Sequence, residues 1–267
     1  MATALVLVAL PAAALVGSWS TPADLSATGR DASEPQVTVS STGLATAVWY
    51  SNDGSNNIIQ SSTSLNGAAW STPANLSVIG QYAYNPQVTV SSTGLATAVW
   101  YRYDGSNSII QSSTSLNGAA WSTPADLSVT GIDAYNPQVT VSSTGLATAV
   151  WYSNDGSNDI IQSSTSLNGA AWSTPANLSV IGQYAYNPQV TVSSTGLATA
   201  VWYRYDGSNS IIQSSTSLNG AAWSTPADLS ATGRDASEPQ VTVSSTGLAT
   251  AVWNRYDGSN YIIQSST

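Results

Sequence analysis

Residues 70–120 read WSTPANLSVIGQYAYNPQVTVSSTGLATAVWYRYDGSNSIIQSSTSLNGAA, and residues 172–222 repeat this stretch without a change. Related copies begin at five tryptophans spaced by 51 residues: Trp19, Trp70, Trp121, Trp172 and Trp223. A second period of 102 residues is visible, because Asp-Leu-Ser and Asn-Leu-Ser alternate in successive copies. Repeats of this length indicate an architecture in which each copy buries its apolar faces against its neighbours. Recent duplication of a two-copy block is the simplest explanation of the pattern, and deliberate design is the second.

Each copy predicts four short β-strands. In the second copy they cover residues 86–91, 95–101, 109–114 and 121–127, with turn residues between them. An Asp-Gly pair marks the hairpin between the second and third strands, and no sustained helical period appears after residue 18. Four strands in about 50 residues, repeated around an axis, predict an all-β fold. The expected architecture is a five-bladed β-propeller with four antiparallel strands per blade.

The repeats begin and end at different points of the unit, which predicts how the ring closes. Residues 19–26 correspond to a fourth strand, and residues 262–267 end the chain with a third strand. We therefore expect the N-terminal strand to complete the last blade, with one strand from the N-terminus and three from the C-terminus. The propeller domain is predicted to span residues 19–267.

Residues 1–18 form a separate apolar segment, in which Thr3 is the one polar residue between Ala2 and Val16. A membrane-spanning helix needs about 20 apolar residues, so no transmembrane span is predicted. The segment resembles a secretory leader, which predicts a secreted or cell-surface protein. Alternatively, residues 3–12 form an apolar strand through which the chain self-associates.

The composition excludes several kinds of chemistry. All five cationic residues are arginines, and 14 acidic residues give a formal net charge of −9, with no Lys, His or Cys. A Ser–His or Cys–His nucleophile pair, a zinc site with His or Cys ligands and a disulfide therefore cannot form. The acidic balance argues against a nucleic-acid partner, and we expect no cofactor.

The hairpin between the third and fourth strands carries a resemblance. Residues 63–70, Thr-Ser-Leu-Asn-Gly-Ala-Ala-Trp, resemble the Asp-box of sialidase-type propellers at Thr63, Gly67 and Trp70, although Leu65 stands where that motif has Asp. The whole repeat resembles the highly repetitive β-propellers of bacterial surface and secreted proteins. The resemblance implies an architecture and no particular activity.

Candidate catalytic and metal-binding residues are few. Glu34 and Glu238 are the only glutamates and occupy equivalent repeat positions. Arg102, Arg204 and Arg255 also share one position, so symmetry spreads them around the ring. Each Asp-Gly-Ser-Asn loop offers alternate oxygen atoms for calcium, but turn chemistry explains these residues as well. We therefore predict that the protein is not an enzyme and has no metal site.

Differences between the copies are confined to one side of the predicted ring, the variable face, which carries the loops joining strand two to three and strand four to the next strand one. Chance drift after a recent duplication is one explanation of this one-sided variation. The other is a binding face, because Tyr, Asn and Arg side chains suit sugar binding, and on that explanation the sequence predicts a multivalent, lectin-like module that recognises surface glycans. The alternative is a structural or self-assembling surface protein. The candidate ligand-binding residues are Tyr82, Tyr84, Asn85, Arg102, Tyr103, Tyr135, Asn136, Tyr184, Tyr186, Asn187, Arg204 and Tyr205.

Overall fold

A computed structural model describes residues 19–267, which form 19 β-strands in five antiparallel sheets. The first sheet contains β1 (Ala32–Val39), β2 (Leu44–Asn52), β3 (Asn57–Leu65) and β4 (Ala74–Asn75). The second contains β5 (Ala83–Val90), β6 (Leu95–Tyr103), β7 (Ser108–Leu116) and β8 (Ala125–Asp126). The third contains β9 (Ala134–Val141), β10 (Leu146–Asn154), β11 (Asp159–Leu167) and β12 (Ala176–Asn177). The fourth contains β13 (Ala185–Val192), β14 (Leu197–Tyr205), β15 (Ser210–Leu218) and β16 (Ala227–Asp228). The last contains β17 (Ala236–Val243), β18 (Ala249–Tyr256) and β19 (Tyr261–Ser266).

The predicted all-β fold is therefore confirmed, with strands in each sheet paired in chain order. Within residues 19–267 no helix is present, so none is found there that could span a membrane. The central hairpin is continuous: β6 pairs with β7 from Leu95↔Leu116 to Tyr103↔Ser108. Its loop is the Asp-Gly turn, where Gly105 has a φ of 104° that a residue with a Cβ rarely adopts.

The hydrophobic core lies between neighbouring sheets. At the first boundary Val48, Ile59 and Leu76 pack against Ala98 and Trp100 of the next sheet, and all are buried. Equivalent clusters fill the following three boundaries. A buried tryptophan removes about 150–250 Å² of surface from water, so stacked sheets are stabilised where an isolated sheet would leave both faces exposed.

The innermost strand of each sheet contains a β-bulge. In β5 the register shifts between Tyr84 and Gln87, and Asn85 in this bulge has a φ of 51°. A bulge adds one residue to one strand and re-aims the side chains beside it. The same shift occurs in the innermost strand of the other four sheets. It determines which side chains reach the centre of the array.

The outer strands differ from the prediction. The sequence predicts a fourth strand over residues 121–127, whereas β8 covers Ala125–Asp126 alone. Residues 19–26 form no strand, and the last sheet has three strands, so the expected closure by the N-terminal strand is not present. At this boundary Ile263 is 70% exposed, whereas its equivalent Ile59 is fully buried. The predictions for residues 1–18, including self-association through 3–12, lie outside the described residues.

Candidate functional site

The five innermost strands surround a cavity of about 500 Å³. Each sheet contributes residues from the same repeat positions, so the cavity lies at the centre of the array and is called the axial cavity below. Its wall consists of Glu34, Gln36, Asn85, Pro86, Gln87, Asn136, Pro137, Gln138, Asn187, Pro188, Gln189, Glu238, Pro239 and Gln240. A concave site with convergent polar groups is the usual place for a ligand.

Two glutamates distinguish the first and last sheets in this cavity. Glu34 and Glu238 stand in the bulge, where the three middle sheets have Asn85, Asn136 and Asn187. The backbone is left-handed at all five positions, with φ of 54° at Glu34 and 53° at Glu238. Asparagine tolerates this conformation better than other residues with a Cβ, so each glutamate costs about 1–2 kcal/mol of backbone strain. Strained residues of this kind cluster at functional sites.

Hydrogen bonds connect the first glutamate to the next bulges. The Asn85 backbone N–H donates to Oε2 of Glu34 at 2.9 Å. The Asn85 carboxamide lies 2.8 Å from the Glu34 carboxylate and 2.8 Å from the Asn136 carboxamide. Asn136 in turn donates to Asn187 at 3.3 Å. The bulge side chains thus form a chain of polar contacts around the axis.

The second glutamate has a different partner. The side-chain amide of Asn254 donates to Oε2 of Glu238 at 2.6 Å. The other four sheets have tyrosine at the position of Asn254, and Ser237 likewise replaces the tyrosine that precedes the bulge in the middle sheets. The last sheet therefore differs from its neighbours at the residues that surround Glu238.

Seven tyrosines beside the axial cavity contact one another in sequence and form what we call the tyrosine arc. Successive ring centroids are 5.2 to 5.6 Å apart, within the range of aromatic pairing. Three members, at 84, 135 and 186, directly precede the asparagines of the bulges. The arc consists of Tyr50, Tyr84, Tyr101, Tyr135, Tyr152, Tyr186 and Tyr203.

Burial changes the ionisation of four tyrosines in this arc. It raises the pKa of Tyr101 to about 12, with a smaller contribution from the negative charge of Glu34. It also raises the pKa of Tyr152 to about 12, where Asp159 adds to the effect. The pKa values of Tyr186 and Tyr203 are raised by burial too, and Asp159 contributes at Tyr186. These tyrosines therefore remain neutral across the physiological pH range.

The structure places the predicted ligand-binding residues in three groups. Asn85, Asn136 and Asn187 line the axial cavity, while Tyr84, Tyr135 and Tyr186 belong to the tyrosine arc. Tyr82 and Tyr184 are 41% exposed and stack on the arc, with planes 7° from parallel. Tyr103 and Tyr205 are also exposed.

The two predicted arginines do not face the axial cavity. Arg102 donates to Oε1 of Gln81 at 3.1 Å and lies 4.0 Å from the Asp126 carboxylate. Arg204 makes the same contacts with Gln183 and Asp228. Both guanidinium groups are thus engaged within their own sheets.

The sequence-based reasoning gave Glu34 and Glu238 no role. The available signal was that the only two glutamates stand at one repeat position, where the other copies have asparagine. The bulge that turns this side chain toward the axis was not predicted. In a strand without a bulge, side chains alternate strictly between the two faces of the sheet, which would place this residue on a different face.

The Asp-Gly loops show turn geometry. Oδ1 of Asp53 accepts the backbone N–H groups of Ser55 and Asn56 at 2.9 and 2.8 Å, and these bonds lower the pKa of Asp53. The other four loops repeat this arrangement. Among residues 19–267 no group of three or more acidic side chains is placed to hold a metal ion.

Comparisons with known proteins identify the fold alone. No protein-family model and no curated protein sequence matches the chain, so the resemblance to the Asp-box has no support at the level of sequence. Among solved structures, the chain is similar to an α-L-arabinanase of Penicillium chrysogenum complexed with arabinobiose, with a TM-score of 0.55, 12% identity, and coverage of 86% of this chain and 76% of that one. It is also similar to a PL25 ulvan lyase, with a TM-score of 0.62 and 8% identity, over 86% of this chain and 63% of that one. An endo-arabinase of Bacteroides thetaiotaomicron gives a TM-score of 0.50 and 11% identity, over 87% and 92%.

These neighbours correct the functional prediction. They have the propeller fold, and the present chain spans about 63% of the length of the ulvan lyase. They are glycan-processing enzymes, which contradicts the prediction of a non-catalytic lectin-like module and the prediction that the protein is not an enzyme. The structure is an all-β array of five antiparallel sheets that fits a propeller, with a polar cavity at its axis.

Proposed function

We propose that this protein is a glycan-processing enzyme that cleaves glycosidic bonds in the axial cavity, with Glu34 and Glu238 as its carboxylate pair. The observation that carries the proposal is their placement: the only two glutamates occupy strained bulge positions on the wall of one cavity. The arabinanases and the ulvan lyase with this fold support it as precedents for glycan chemistry. A secreted or cell-surface location fits an enzyme whose substrate is a polymer.

Hydrolysis of a glycosidic bond needs two carboxyl groups on either side of it. One donates a proton to the leaving oxygen, and the other attacks the anomeric carbon or activates a water molecule. The surroundings of the two glutamates differ, because Glu34 accepts a backbone N–H while Glu238 accepts the Asn254 side-chain amide. Different surroundings are how one site gives two carboxyl groups separate roles.

The second part of the proposal is that the ring closes, which makes the two glutamates neighbours. Glu238 of the last sheet and Glu34 of the first are then related as Asn85 is to Asn136, whose carboxamides meet at 2.8 Å. The longer glutamate side chains at these positions then need to splay apart to the separation of about 5–10 Å that hydrolysis of a glycosidic bond requires. We call the boundary between the last and first sheets the seam.

Charge pairing within each sheet supports closure by residues 23–26. Where the second strand ends in Arg102 or Arg204, the outer strand of that sheet carries Asp126 or Asp228, 4.0 or 3.9 Å away. Where it carries Ser51 or Ser153, the outer strand has asparagine. The last sheet has Arg255, which breaks the alternation of serine and arginine.

The residue available to pair with Arg255 is Asp24, an acid of the required sign. In the second sheet, Gln111 donates to the outer-strand Asp126 at 2.7 Å. Gln264 on β19 is the equivalent donor for Asp24. One ion pair and one hydrogen bond thus recur in the last sheet if Ala23 and Asp24 take the place of its outer strand.

Apolar side chains at the seam also match a closed boundary. Val48, Ile59 and Leu76 fill the first boundary, and their equivalents at the seam are Val252, Ile263 and Leu25. Ala47 and Trp49, already buried, provide the opposite wall. Packing Ile263 there removes apolar area from water at about 25 cal/mol per Å², which favours closure.

The test is hydrolysis of polysaccharides by the full chain and by Glu34→Gln and Glu238→Gln variants. Reducing-end release should be measured on uncharged polysaccharides (linear arabinan, xylan and β-mannan) and on ulvan. Each substitution is expected to lower the rate by about 10²–10⁴-fold, because a positioned acid or base contributes that much. Asn136→Gln is the matched control, since it changes an equivalent bulge without removing a carboxylate, and it should retain most activity. Equal rates for the full chain and both glutamate variants, or no cleavage of any of the four polymers, would sink the proposal.

A further inference from the structure

Aromatic and charged groups divide the variable face into two sectors. The tyrosine arc spans the first four sheets and ends at Tyr203, because the last sheet has Ser237 and Asn254 where the arc would continue. Glu238 lies in the sector without tyrosines, whereas Glu34 lies at the first end of the arc, beside the residue that pairs with Tyr50. A polymer that follows the arc therefore meets a carboxylate at each end.

The most accessible rings belong to two stacked pairs on the arc. Tyr82 stacks on Tyr84 with ring centroids 6.2 Å apart, and Tyr184 stacks on Tyr186 at 6.1 Å. The Tyr82 and Tyr184 hydroxyls donate to the carbonyl oxygens of Ser55 and Ser157 in the preceding loops, each at 3.3 Å. The rings are therefore held in place while their outer faces remain open. A rigid aromatic face with a polar edge suits the apolar face of a sugar ring.

Positive charge is missing from the wall of the axial cavity. The chain has no lysine or histidine, and within residues 19–267 no arginine lines the axial cavity. Arg102 and Arg204 are engaged by Asp126 and Asp228, and Arg30 donates to a backbone carbonyl at the edge of its loop. A uronate or sulfate group that enters the axial cavity would thus approach two carboxylates without a facing cation on the cavity wall. Like charges repel in such a site, and the repulsion is strengthened by its reduced dielectric.

We infer that the two stacked pairs and the tyrosine arc form a binding track for an uncharged polysaccharide, which delivers its chain to Glu34 and Glu238. This inference rests on the proposed function for the direction of delivery, but binding along the track does not require cleavage. The inference distinguishes between the two types of ligand found with the structural neighbours. One neighbour was solved with arabinobiose and another with a -[GlcA(1-4)Rha3S]- fragment of ulvan. Only the first type lacks charge.

Binding can be measured by native electrophoresis of the full chain through gels that contain linear arabinan, xylan, β-mannan or ulvan. At least one uncharged polymer should retard the protein, and ulvan should bind about 100-fold more weakly or not at all. The Tyr82→Ala/Tyr184→Ala variant should bind the uncharged polymer about tenfold more weakly, because it loses two stacking faces. Tyr256→Ala/Tyr261→Ala removes two exposed tyrosines of the last sheet that lie outside the track, and it should leave retardation unchanged.

The outcomes separate this inference from the proposed function. Retardation by ulvan equal to that by the uncharged polymers, retardation by none of the three uncharged polymers, or equal losses in both tyrosine variants would overturn the track. The Glu34→Gln/Glu238→Gln variant should still bind through the tyrosines, and loss of its binding would also count against the track. Binding without cleavage would refute the enzymatic proposal and leave the track standing. Cleavage of ulvan would support the enzymatic proposal and refute the track.

Discussion

The indole N–H of Trp121 donates to the hydroxyl of Ser61 in the preceding sheet at 2.8 Å. The same bond recurs between Trp172 and Ser112 and between Trp223 and Ser163. The tryptophans that begin the last three repeats therefore connect consecutive sheets by a polar contact, in addition to the apolar clusters. In contrast, the indole N–H of the buried Trp100 has no hydrogen-bond partner within the described residues.

We expect the bond between Trp121 and Ser61 to contribute about 1 kcal/mol to the free energy of unfolding, the usual net value of one hydrogen bond. Trp121→Phe and Ser61→Ala, singly and together, form a double-mutant cycle that can be measured by chemical denaturation. Trp100→Phe with Ser61→Ala is the control pair, and it should give a coupling energy near zero. Additive effects in the Trp121 cycle would show that the contact does not join the sheets energetically.

The sequence predicted the hairpin of each sheet well, because its signals are local. Asp-Gly at 104–105 and the uncharged run from Leu95 to Tyr101 define a turn and a strand buried on both faces, and the structure contains both. The axial site could not be predicted in the same way. Its geometry depends on the bulge at Glu34 and Asn85. A bulge changes which face of the sheet the side chains point to, and the alternation of apolar and polar residues in the sequence does not reveal it.

The tyrosines illustrate a second limit of sequence-based prediction. Tyr84 and Tyr186 were expected on an open face because the copies differ there, but each packs against three other tyrosines. Contacts between different blades depend on how the blades are arranged around the axis, and no single repeat contains that information.

The loop aspartates should make the protein sensitive to acid. Backbone N–H groups lower the pKa values of Asp53, Asp104 and the equivalent aspartates in the folded state. Their contribution to stability is present above the ordinary carboxyl pKa and is lost as the pH falls through the lowered folded values. The melting temperature should therefore fall as the pH drops below about 4. A chain with asparagine at all five positions should show a shallower decline, and an equally steep decline would contradict the assignment.

The tyrosine arc should make the protein sensitive to alkali as well. Burial raises the pKa values of Tyr101 and Tyr152 to about 12 in the folded state, while an unfolded tyrosine ionises near pH 10. Between these values the folded protein holds protons that the unfolded chain has released, so stability falls as the pH rises. Denaturation at several pH values between 9 and 12 should show a smaller loss for Tyr101→Phe than for the full chain. Tyr103→Phe, outside the arc, is the control, and identical slopes for both variants would refute the prediction.

Closure of the seam can be tested by a disulfide, since the chain contains no cysteine. In the first sheet Ser61 pairs with Ala74 across the outer ladder, and the equivalent residues at the seam are Ser265 and Ala23. If residues 23–26 complete the last sheet, Ala23→Cys/Ser265→Cys should oxidise to a cross-linked monomer, because directly paired positions satisfy disulfide geometry. The Ser61→Cys/Ala74→Cys chain is the positive control. Ala23→Cys with Ser71→Cys, a position outside the proposed pairing, should remain reduced.

Mass and activity then show which chain provides the strand and whether it matters for the site. A cross-linked dimer would mean that a second copy supplies the strand by domain swapping. A reduced seam pair, under conditions that fully oxidise the positive control, would show that the seam is open and that Glu34 and Glu238 are not held together.

In the closed ring, Asp24→Asn should lower the free energy of unfolding as Asp126→Asn does, by at most about 1 kcal/mol for an exposed ion pair. Of the two, only Asp24→Asn should also reduce polysaccharide cleavage, because only the seam joins the two glutamates.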